Sequence, residues 1–350
     1  MNKAKDRLPN GKPKVLITGI NGFVGSHLAD LLVSEGYPVS GIALTRNLRH
    51  LSYVEQQISI AYGDVRNAKD IENVLAELKP DYIYHLAGSS FVPDAEADPR
   101  IVYDVNILGT LNLLEAARST HLSAKILIVG SGEVYGHVPE AALPVNEEYP
   151  LKPISPYGVT KACVDLLAYQ YATAYQMDVI RVRPFNHIGP RQSGQFVCSS
   201  FAKQIIEIER GIRKPILNVG NLEACRDFTD VRDVVRAYRT LLEKAKGGEV
   251  YNIGSNKTWR IGDIVGMLIE ASRVKGIVLE RQSLRVRPND IPIMRCDASK
   301  AEKAIGWRPE IPIERTLQDL LNYWRETIIL NSWTPVNDQL HLDALIEAQE

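Results

Sequence analysis

A serine, a tyrosine and a lysine are spaced in a way that could carry acid–base chemistry at a carbonyl or an alcohol. Tyr157 and Lys161 stand four positions apart in SPYGVTK, a stretch that predicts a helix. Side chains at i and i+4 share a helix face, so the Lys161 ammonium should lie beside the Tyr157 phenol and favour its ionised form. Ser131 directly follows the strand-like run KILIVG, and Glu133 comes two positions later. These four residues are the predicted catalytic group.

A glycine-rich turn, TGINGFVG, predicts a dinucleotide-binding site. Gly19, Gly22 and Gly25 follow the apolar run KVLITG and precede the helical pattern VGSHLADLLVSEG. Glycines let the turn tighten and let backbone amides approach a pyrophosphate at the helix N-terminus, where the helix dipole favours anions. The spacing is GxxGxxG and not GxGxxG, and a glycine-rich turn without a ligand is the alternative interpretation.

The end of the second predicted strand, PVSGIAL, favours NADP over NAD. An NAD site places an acid there to accept hydrogen bonds from the ribose 2′-hydroxyl, whereas an arginine attracts a 2′-phosphate. The segment continues as TRN, which contains Arg46 and no acid. A solvated loop arginine is the alternative. Asp64, after the third predicted strand, could accept from the adenine amine or could be an ordinary turn aspartate.

The elements that must hold these residues alternate between short apolar runs and longer helical patterns, from KVLITG to KILIVG. Apolar strands covered on both faces need crossover helices, so this alternation predicts an α/β fold with a Rossmann-type doubly wound parallel sheet and a smaller C-terminal α/β substrate domain. The predicted bounds are 12–180 for the NADP-binding domain with returning segments near 222–256, 181–221 and 257–328 for the substrate domain, and 329–350 for a tail.

Composition excludes several partners. The 350 residues carry 41 Lys and Arg against 42 Asp and Glu, a net charge of -1, which gives no general attraction to nucleic acid or to an anionic membrane. Four widely spaced cysteines without a CxxC pair favour reduced thiols. The basic N-terminal segment has no apolar core of a leader and no run of 18 apolar residues follows, so we expect a cytoplasmic protein.

Histidines and metal ligands complete the candidate list. No His, Cys and Asp grouping has the spacing of a metal site, so we expect no metal. His187 could be a catalytic base because its ordinary pKa is near neutrality, but we interpret it as a packed or hydrogen-bonding loop residue. His85, at the end of DYIYHLAG, is interpreted as structural.

In combination, TGxxGxxG, Asn106 of VYDVNILGT, Ser131 and Tyr157 with Lys161 resemble the extended short-chain dehydrogenase/reductases that act on nucleotide sugars, from about residue 14 to 327. The resemblance implies NADP(H) in the first domain, a sugar nucleotide in the second, and hydride transfer between C4 of the nicotinamide and a sugar carbon, usually C4. Ser131 would polarise the sugar O4, Tyr157 would donate or remove its proton, and Lys161 would tune Tyr157 and bind the nicotinamide ribose.

The same resemblance implies a homodimer through the helices that carry NILGTLNLLEAAR and Tyr157, whose apolar faces are equally compatible with a simple core. It also implies further coenzyme contacts in the glycine turn and after later strands, from Asn21, Phe23, Val24, Val65, Leu86, Ala87, Gly88 and Asn106.

A closer resemblance lies in the second half. RPFNHIGPRQSGQFV, VGNLEACRDFTDVRDVV and LRVRPNDIP are similar to the branch that handles GDP-mannose derivatives, which contains GDP-mannose 4,6-dehydratases and GDP-6-deoxy-D-mannose reductases. The resemblance implies that Asn186 contacts the sugar nucleotide and that Arg226 and Arg287 contact the diphosphate. The planar fork of an arginine matches phosphate oxygens, although a surface salt bridge is the alternative for each.

Gly132 separates the two activities of this branch. A dehydratase must remove the C5 proton, protonate the departing C6 hydroxyl and return the hydride to C6, whereas a reductase delivers one hydride and one proton. The resemblance implies that Glu133 serves the C5 step and that a polar helper precedes it, but Gly132 has no side chain to donate. We therefore expect NADPH-dependent reduction of GDP-4-keto-6-deoxy-D-mannose to GDP-6-deoxy-D-mannose (GDP-D-rhamnose); GDP-mannose 4,6-dehydratase, or both activities, is the alternative.

Overall fold

The alternating pattern folds into a seven-stranded sheet in which every pair of neighbours is parallel. The computed structural model describes residues 11–282 and 290–333. The strands of the described part are β1 (Val15–Thr18), β2 (Val39–Ala43), β3 (Ile58–Tyr62), β4 (Tyr82–His85), β5 (Lys125–Val129), β6 (Val179–Pro184), β7 (Asn186–Ile188), β8 (Ile216–Val219), β9 (Cys225–Asp230), β10 (Val250–Ile253), β11 (Thr258–Arg260), β12 (Val278–Arg281) and β13 (Ile293–Met294).

The helices of the described part connect and cover these strands. They are α1 (Phe23–Ser34), α2 (Ala68–Leu78), α3 (Val92–Ala97), α4 (Pro99–Tyr103), α5 (Gly109–Ser119), α6 (Pro156–Ala174), α7 (Val197–Glu209), α8 (Val231–Lys244), α9 (Ile261–Glu270), α10 (Ser299–Ile305) and α11 (Ile313–Trp333). A π-helical turn at Asp104–Leu108 joins α4 to α5.

The main sheet is doubly wound. Its strand order is β10-β6-β5-β4-β1-β2-β3, so the order reverses between β1 and β4, where ligands bind in such sheets. Successive residues of β1 point to opposite faces: Ile17 packs in a cluster with α1 and α8, and Leu16 packs in a cluster with α2, α5 and α6. The predicted Rossmann-type fold class is confirmed.

A third hydrophobic cluster lies in the later part of the chain. Residues of α7, α9 and α11 pack there with β8 and β9. β9 is central to a small sheet with β7, β11 and β13, and β8 pairs with β12. The chain returns to the main sheet between these elements, because β10 pairs with β6. Arg287 and the predicted tail beyond residue 333 lie outside the described residues, whereas residues 329–333 belong to α11.

Among the helices of the described part, none combines the length and the apolar character that crossing a membrane requires.

Candidate active site

The glycine turn after β1 is shaped by close backbone contacts. Gly19 has a φ of +70°, which favours glycine, and a Cβ there would lie 3.0 Å from the backbone nitrogen of Ala87. A Cβ on Gly25 would lie 2.2 Å from the carbonyl oxygen of Gly19. Gly22 stands at the N-cap of α1 without a capping side chain. The turn therefore packs against the segment after β4 and leaves the start of α1 open, as a pyrophosphate site requires.

Two residues that the sequence analysis missed hold this segment in place. The hydroxyl of Thr18 accepts hydrogen bonds from the backbone nitrogens of Leu86 (3.2 Å) and Ala87 (3.1 Å). Thr160 accepts a hydrogen bond of 2.9 Å from the side chain of Asn106. Threonine in a strand or a helix is too common for either position to be recognised from the sequence.

Asn106 is buried and joins three elements. Its amide nitrogen also donates to the carbonyl of Ser89 (3.0 Å), and its oxygen accepts from the nitrogen of Ser89 (2.9 Å). Gly88 lies beside it, since a Cβ there would be 2.9 Å from the Asn106 oxygen and 3.7 Å from the Lys161 ammonium. Asn106 therefore fixes the Gly88 backbone next to Lys161.

The predicted catalytic residues meet at the carboxyl ends of β4 and β5. Ser131 caps a 3₁₀ turn by accepting a hydrogen bond of 3.1 Å from the backbone nitrogen of Glu133. Tyr157 lies in the first turn of α6 and is hydrogen-bonded to the Ser131 side chain. Lys161, one turn later, donates to the carbonyl of Val129 (2.9 Å). The Lys161 ammonium is 5.9 Å from the centre of the Tyr157 ring.

The protonation of Tyr157 differs from the sequence expectation. Burial, with a smaller contribution from the charge of Glu133, raises the pKa of Tyr157 to about 12, although the hydrogen bond to Ser131 acts in the opposite direction. Burial lowers the pKa of Lys161 to about 8. The pKa of Tyr157 is thus shifted in the direction opposite to the expected effect of Lys161, because desolvation by burial is the largest cause. The role of Lys161 stays a prediction.

Gly132 is buried against an aromatic ring. A Cβ at this position would lie 3.1 Å from Cδ2 of Phe185, so a side chain would require the ring to shift. Phe185 is itself buried and packs on Tyr135 with a ring-centre distance of 6.2 Å. The space beside Gly132 is thus occupied by a group that cannot donate a proton.

Of the predicted substrate residues, Arg226 lines a pocket that Glu133 also lines, and Asn186 is exposed on β7. Arg226, on β9, donates to the carboxylate of Asp290 (2.7 Å), which also accepts from Asn221 (2.8 Å). The pocket is lined by Glu96, Glu133, Ser155, Arg226 and Asp290, among others. Asp290 was missed, although it lies in the quoted stretch LRVRPNDIP. Arg287 of that stretch lies outside the described residues.

The predicted adenosine residues follow β2 and β3. Arg46 is exposed with its guanidinium 4.6 Å above the centre of the Tyr62 ring. Asp64 is held by the guanidinium of Arg66 at 2.6 Å. Val65 is buried, and one of its methyl carbons would lie 2.7 Å from a Cβ on Gly109, so the segment after β3 packs against the start of α5.

The glycine turn also contacts two other loops. The Asn21 amide donates to the carbonyls of Thr45 and Asn47, both at 3.2 Å. The Phe23 ring stacks on His187 with a ring-centre distance of 5.9 Å. Val24 is partly buried against the core.

The two histidines have structural contacts. His187 shares a hydrogen bond of 3.0 Å with the carbonyl of Phe185, and burial lowers its pKa. The ring nitrogens of His85 form hydrogen bonds with the hydroxyls of Thr18 and Thr110, and burial lowers the pKa of His85 to about 3. Both are neutral at physiological pH, as packed histidines are. Within residues 11–282 and 290–333 no cluster of His, Cys, Asp and Glu could hold a metal ion.

The doubly wound sheet, the glycine turn and the Ser–Tyr–Lys group define an extended short-chain dehydrogenase/reductase. Residues 16–320 match the family model described as GDP-mannose 4,6 dehydratase, and the chain belongs to that family. The predicted family is thereby confirmed.

Relatives with two different names match almost the whole chain. GDP-6-deoxy-D-mannose reductase of Pseudomonas aeruginosa is 34% identical over 315 residues, which cover 90% of this chain and 98% of the relative. GDP-mannose 4,6-dehydratase of Vibrio cholerae is 30% identical, with coverage of 89% and 93%. Family membership by itself therefore leaves both activities open.

Solved structures agree with the fold. The structure of RMD from Pseudomonas aeruginosa complexed with NADPH superposes with a TM-score of 0.80 at 34% identity, covering 90% of this chain and all of that one (100%). UDP-glucose 4-epimerase of Thermus thermophilus in complex with NAD gives a TM-score of 0.79 at 27% identity, with coverage of 89% and 99%.

Proposed function

We propose that this protein reduces GDP-4-keto-6-deoxy-D-mannose to GDP-6-deoxy-D-mannose with NADPH. The observation that carries the proposal is the surroundings of the catalytic tyrosine. A proton donor, Tyr157, is present, while the neighbouring position 132 is a glycine packed against Phe185. One donor is sufficient for a reduction, whereas an elimination needs further proton transfers. The relative at 34% identity, named as a reductase, supports the same activity.

The residues of the first half fit a dinucleotide phosphate. Side chains at Gly19 or Gly25 would collide with backbone, so a turn this tight requires glycine at both positions. Arg46 offers a cation after β2, where a 2′-phosphate would lie. The relative solved with NADPH supports this choice. When bound, the coenzyme supplies the hydride.

The catalytic residues have separate tasks in this proposal. Ser131 donates a hydrogen bond to O4 of the sugar and polarises the keto group. Tyr157, which the raised pKa keeps protonated at neutral pH, gives its proton to O4 as the alkoxide develops. Lys161, fixed by the carbonyl of Val129, binds the nicotinamide ribose and stabilises the tyrosinate left behind.

The sugar nucleotide is assigned to the pocket that contains Glu133 and Arg226. Arg226 contacts the diphosphate, and its ion pair with Asp290 holds the guanidinium in the pocket beforehand. Asn186 and Arg287 complete the proposed contacts to the sugar nucleotide. The proposed domain bounds stay 12–180 with returning segments near 222–256 for the NADP-binding domain and 181–221 with 257–328 for the substrate domain, so Arg226 falls in the returning segments.

Glu133 favours the second candidate, GDP-mannose 4,6-dehydratase, because a carboxylate in the pocket could remove the C5 proton. The test uses purified protein with each substrate in turn. With NADPH and GDP-4-keto-6-deoxy-D-mannose, the reductase consumes NADPH and forms a C4 alcohol. With GDP-mannose and catalytic NADP, the dehydratase forms the 4-keto-6-deoxy sugar without net coenzyme consumption. Only the second result would replace the proposal, and both together would show a dual activity.

Glu133→Gln separates the two roles of the carboxylate. It keeps the size of the side chain and removes the base. We expect reduction to slow only modestly, whereas any elimination should fall by about 10²–10⁴-fold, the contribution typical of an acid–base group. Loss of reduction to the same extent would assign Glu133 to the reduction itself.

We further propose a homodimer in the cytoplasm. Leu166 and Tyr169, one turn apart on α6, are 58% and 49% exposed. Ile101 on the neighbouring α4 is also exposed at 46%. Apolar side chains grouped on adjacent helices suit a two-fold interface. Light scattering of the protein and of Leu166→Arg tests it, since the variant should shift a dimer to a monomer. The four cysteines are free thiols, which supports a reducing compartment.

A further inference from the structure

The side chain of Arg46 folds back over an aromatic ring. Tyr62 is the last residue of β3 and pairs in register with Ala43, the last residue of β2. Arg46 follows three residues after Ala43, and its guanidinium carbon lies 4.6 Å from the centre of the Tyr62 ring. This distance is within the range of a cation–π contact. The strand register therefore places the ring directly beneath the cation.

The positive charge of Arg46 remains available for an anion. The carboxylate nearest in the chain to Tyr62, Asp64, accepts from the backbone nitrogen (2.9 Å) and from Nε (2.8 Å) of Arg66. These contacts outweigh partial burial and lower the pKa of Asp64. In the parts of the chain that the structure describes, Arg46 forms no ion pair. Its contact with Tyr62 thus orients the guanidinium without neutralising it.

A preoriented arginine binds a phosphate better than a freely rotating one. The long side chain of arginine loses rotamer entropy when it is fixed. The Tyr62 ring is itself 42% exposed and restricts the guanidinium to one side. Part of the entropy is therefore lost before a ligand arrives.

We propose that Tyr62 is a positioning residue that holds Arg46 for the 2′-phosphate of the coenzyme and so contributes to the choice of NADPH over NADH. The inference rests on the proposed coenzyme and adds to it a residue that touches the arginine and not the phosphate. Because both side chains are exposed, the expected contribution is about two- to fivefold in affinity, the range of an exposed cation–π contact.

The test compares two ligands that differ only in the 2′-phosphate. Dissociation constants of adenosine 2′,5′-bisphosphate and adenosine 5′-monophosphate are measured by calorimetry for the whole protein, for four single variants and for the double variant of Arg46→Ala with Tyr62→Leu. Tyr62→Leu removes the ring, Tyr62→Phe keeps it, and Arg46→Ala removes the cation. Tyr53→Leu is the matched control, since Tyr53 is 83% exposed on the preceding segment and makes no ring contact with Arg46.

We expect Tyr62→Leu to weaken binding of the bisphosphate by about two- to fivefold and to leave binding of the monophosphate unchanged. Tyr62→Phe and Tyr53→Leu should bind both ligands as the parent does. Arg46→Ala should lose more affinity for the bisphosphate than Tyr62→Leu does. Adding Tyr62→Leu to Arg46→Ala should then cause no further change in that affinity.

Three results would overturn the inference in different ways. If Tyr62→Leu weakened the binding of both ligands equally, the ring would contact adenine. An unchanged bisphosphate affinity would show that Tyr62 does not orient Arg46. Equal affinity of the parent protein for both ligands would refute the proposed preference for NADPH as well, whereas a parent that discriminates through Arg46 alone refutes only the role of Tyr62.

Discussion

On the coenzyme side of the site, each contact includes a backbone group: Lys161 donates to the carbonyl of Val129, and the Leu86 and Ala87 amides donate to the hydroxyl of Thr18 in the adjacent strand. On the substrate side, Arg226 is held by the carboxylate of Asp290, a residue 64 positions away. Backbone contacts persist whichever ligand binds, while an ion pair can be exchanged for a ligand anion. We infer that the coenzyme side is preformed and that the substrate side rearranges its charges on binding.

The largest expected effect is at the chemical step on the coenzyme side. Tyr157→Phe removes only the hydroxyl, so NADPH should bind within about twofold of the parent while kcat falls by about 10²–10⁴-fold. Absorbance of the nicotinamide with GDP-4-keto-6-deoxy-D-mannose measures kcat, and NADPH fluorescence measures coenzyme binding. Retained turnover would remove Tyr157 from its role as proton donor.

The next effect concerns the exchangeable ion pair. Arg226→Ala should raise KM for the GDP sugar by about 10–100-fold, since a charged hydrogen bond contributes about 1.5–3 kcal/mol, with KM for NADPH unchanged. Arg260→Ala is the matched control, because Arg260 lies on the adjacent β11 and is paired with Glu223 at 3.1 Å. An equal rise in both KM values would contradict the separation of the two sides.

Rigidity of the glycine turn can be tested by stability. Gly25→Ala places a methyl group 2.2 Å from the Gly19 carbonyl and should lower the free energy of unfolding by about 1–3 kcal/mol. Gly266→Ala, on the exposed face of α9 with nothing within 4 Å, should instead raise it by about 0.5–1 kcal/mol. Urea denaturation of both variants checks the contrast. If Gly25→Ala left the free energy of unfolding unchanged, the glycine turn would be more flexible than the structure indicates.

A further expected effect is a pH dependence of stability caused by Lys161. Burial lowers its pKa from 10.5 to about 8, so between these values the unfolded chain binds a proton that the folded protein lacks. The free energy of unfolding should therefore rise from about pH 8 to pH 10, by at most about 1.4 kcal/mol per unit. Above pH 10 the raised pKa of Tyr157 acts in the opposite direction.

Lys161→Met should flatten that rise, which urea midpoints near pH 8 and pH 10 would show. Lys300→Met is the control, since Lys300 is paired with Glu249 on the surface at 2.8 Å. The same slope in all three proteins would show that Lys161 is not the titrating group.

Local sequence patterns were sufficient to predict the fold and the elements of the coenzyme side of the site. Strand-like runs, the GxxGxxG turn and the YxxxK spacing are each contained in a few consecutive residues, and each determines a short-range geometry such as a shared helix face. The fold class and the family followed from them and are confirmed. The roles of individual residues stay predictions.

Contacts between distant segments were not predictable in this way. The pairing of Arg226 with Asp290, the ring of Tyr62 beneath Arg46 and the packing of Phe185 on Gly132 each join residues from separate elements. Strand register and loop packing bring them together, and neither is written in a local pattern.

The sequence by itself determined that this is a doubly wound dinucleotide-binding protein with a Ser–Tyr–Lys group, because those features depend on periodicity and spacing. Only the tertiary structure decided the protonation of that group and the surroundings of Gly132. Burial, which sets the pKa of Tyr157 and places Phe185 against the glycine, is a property of the packed molecule and not of any segment of it.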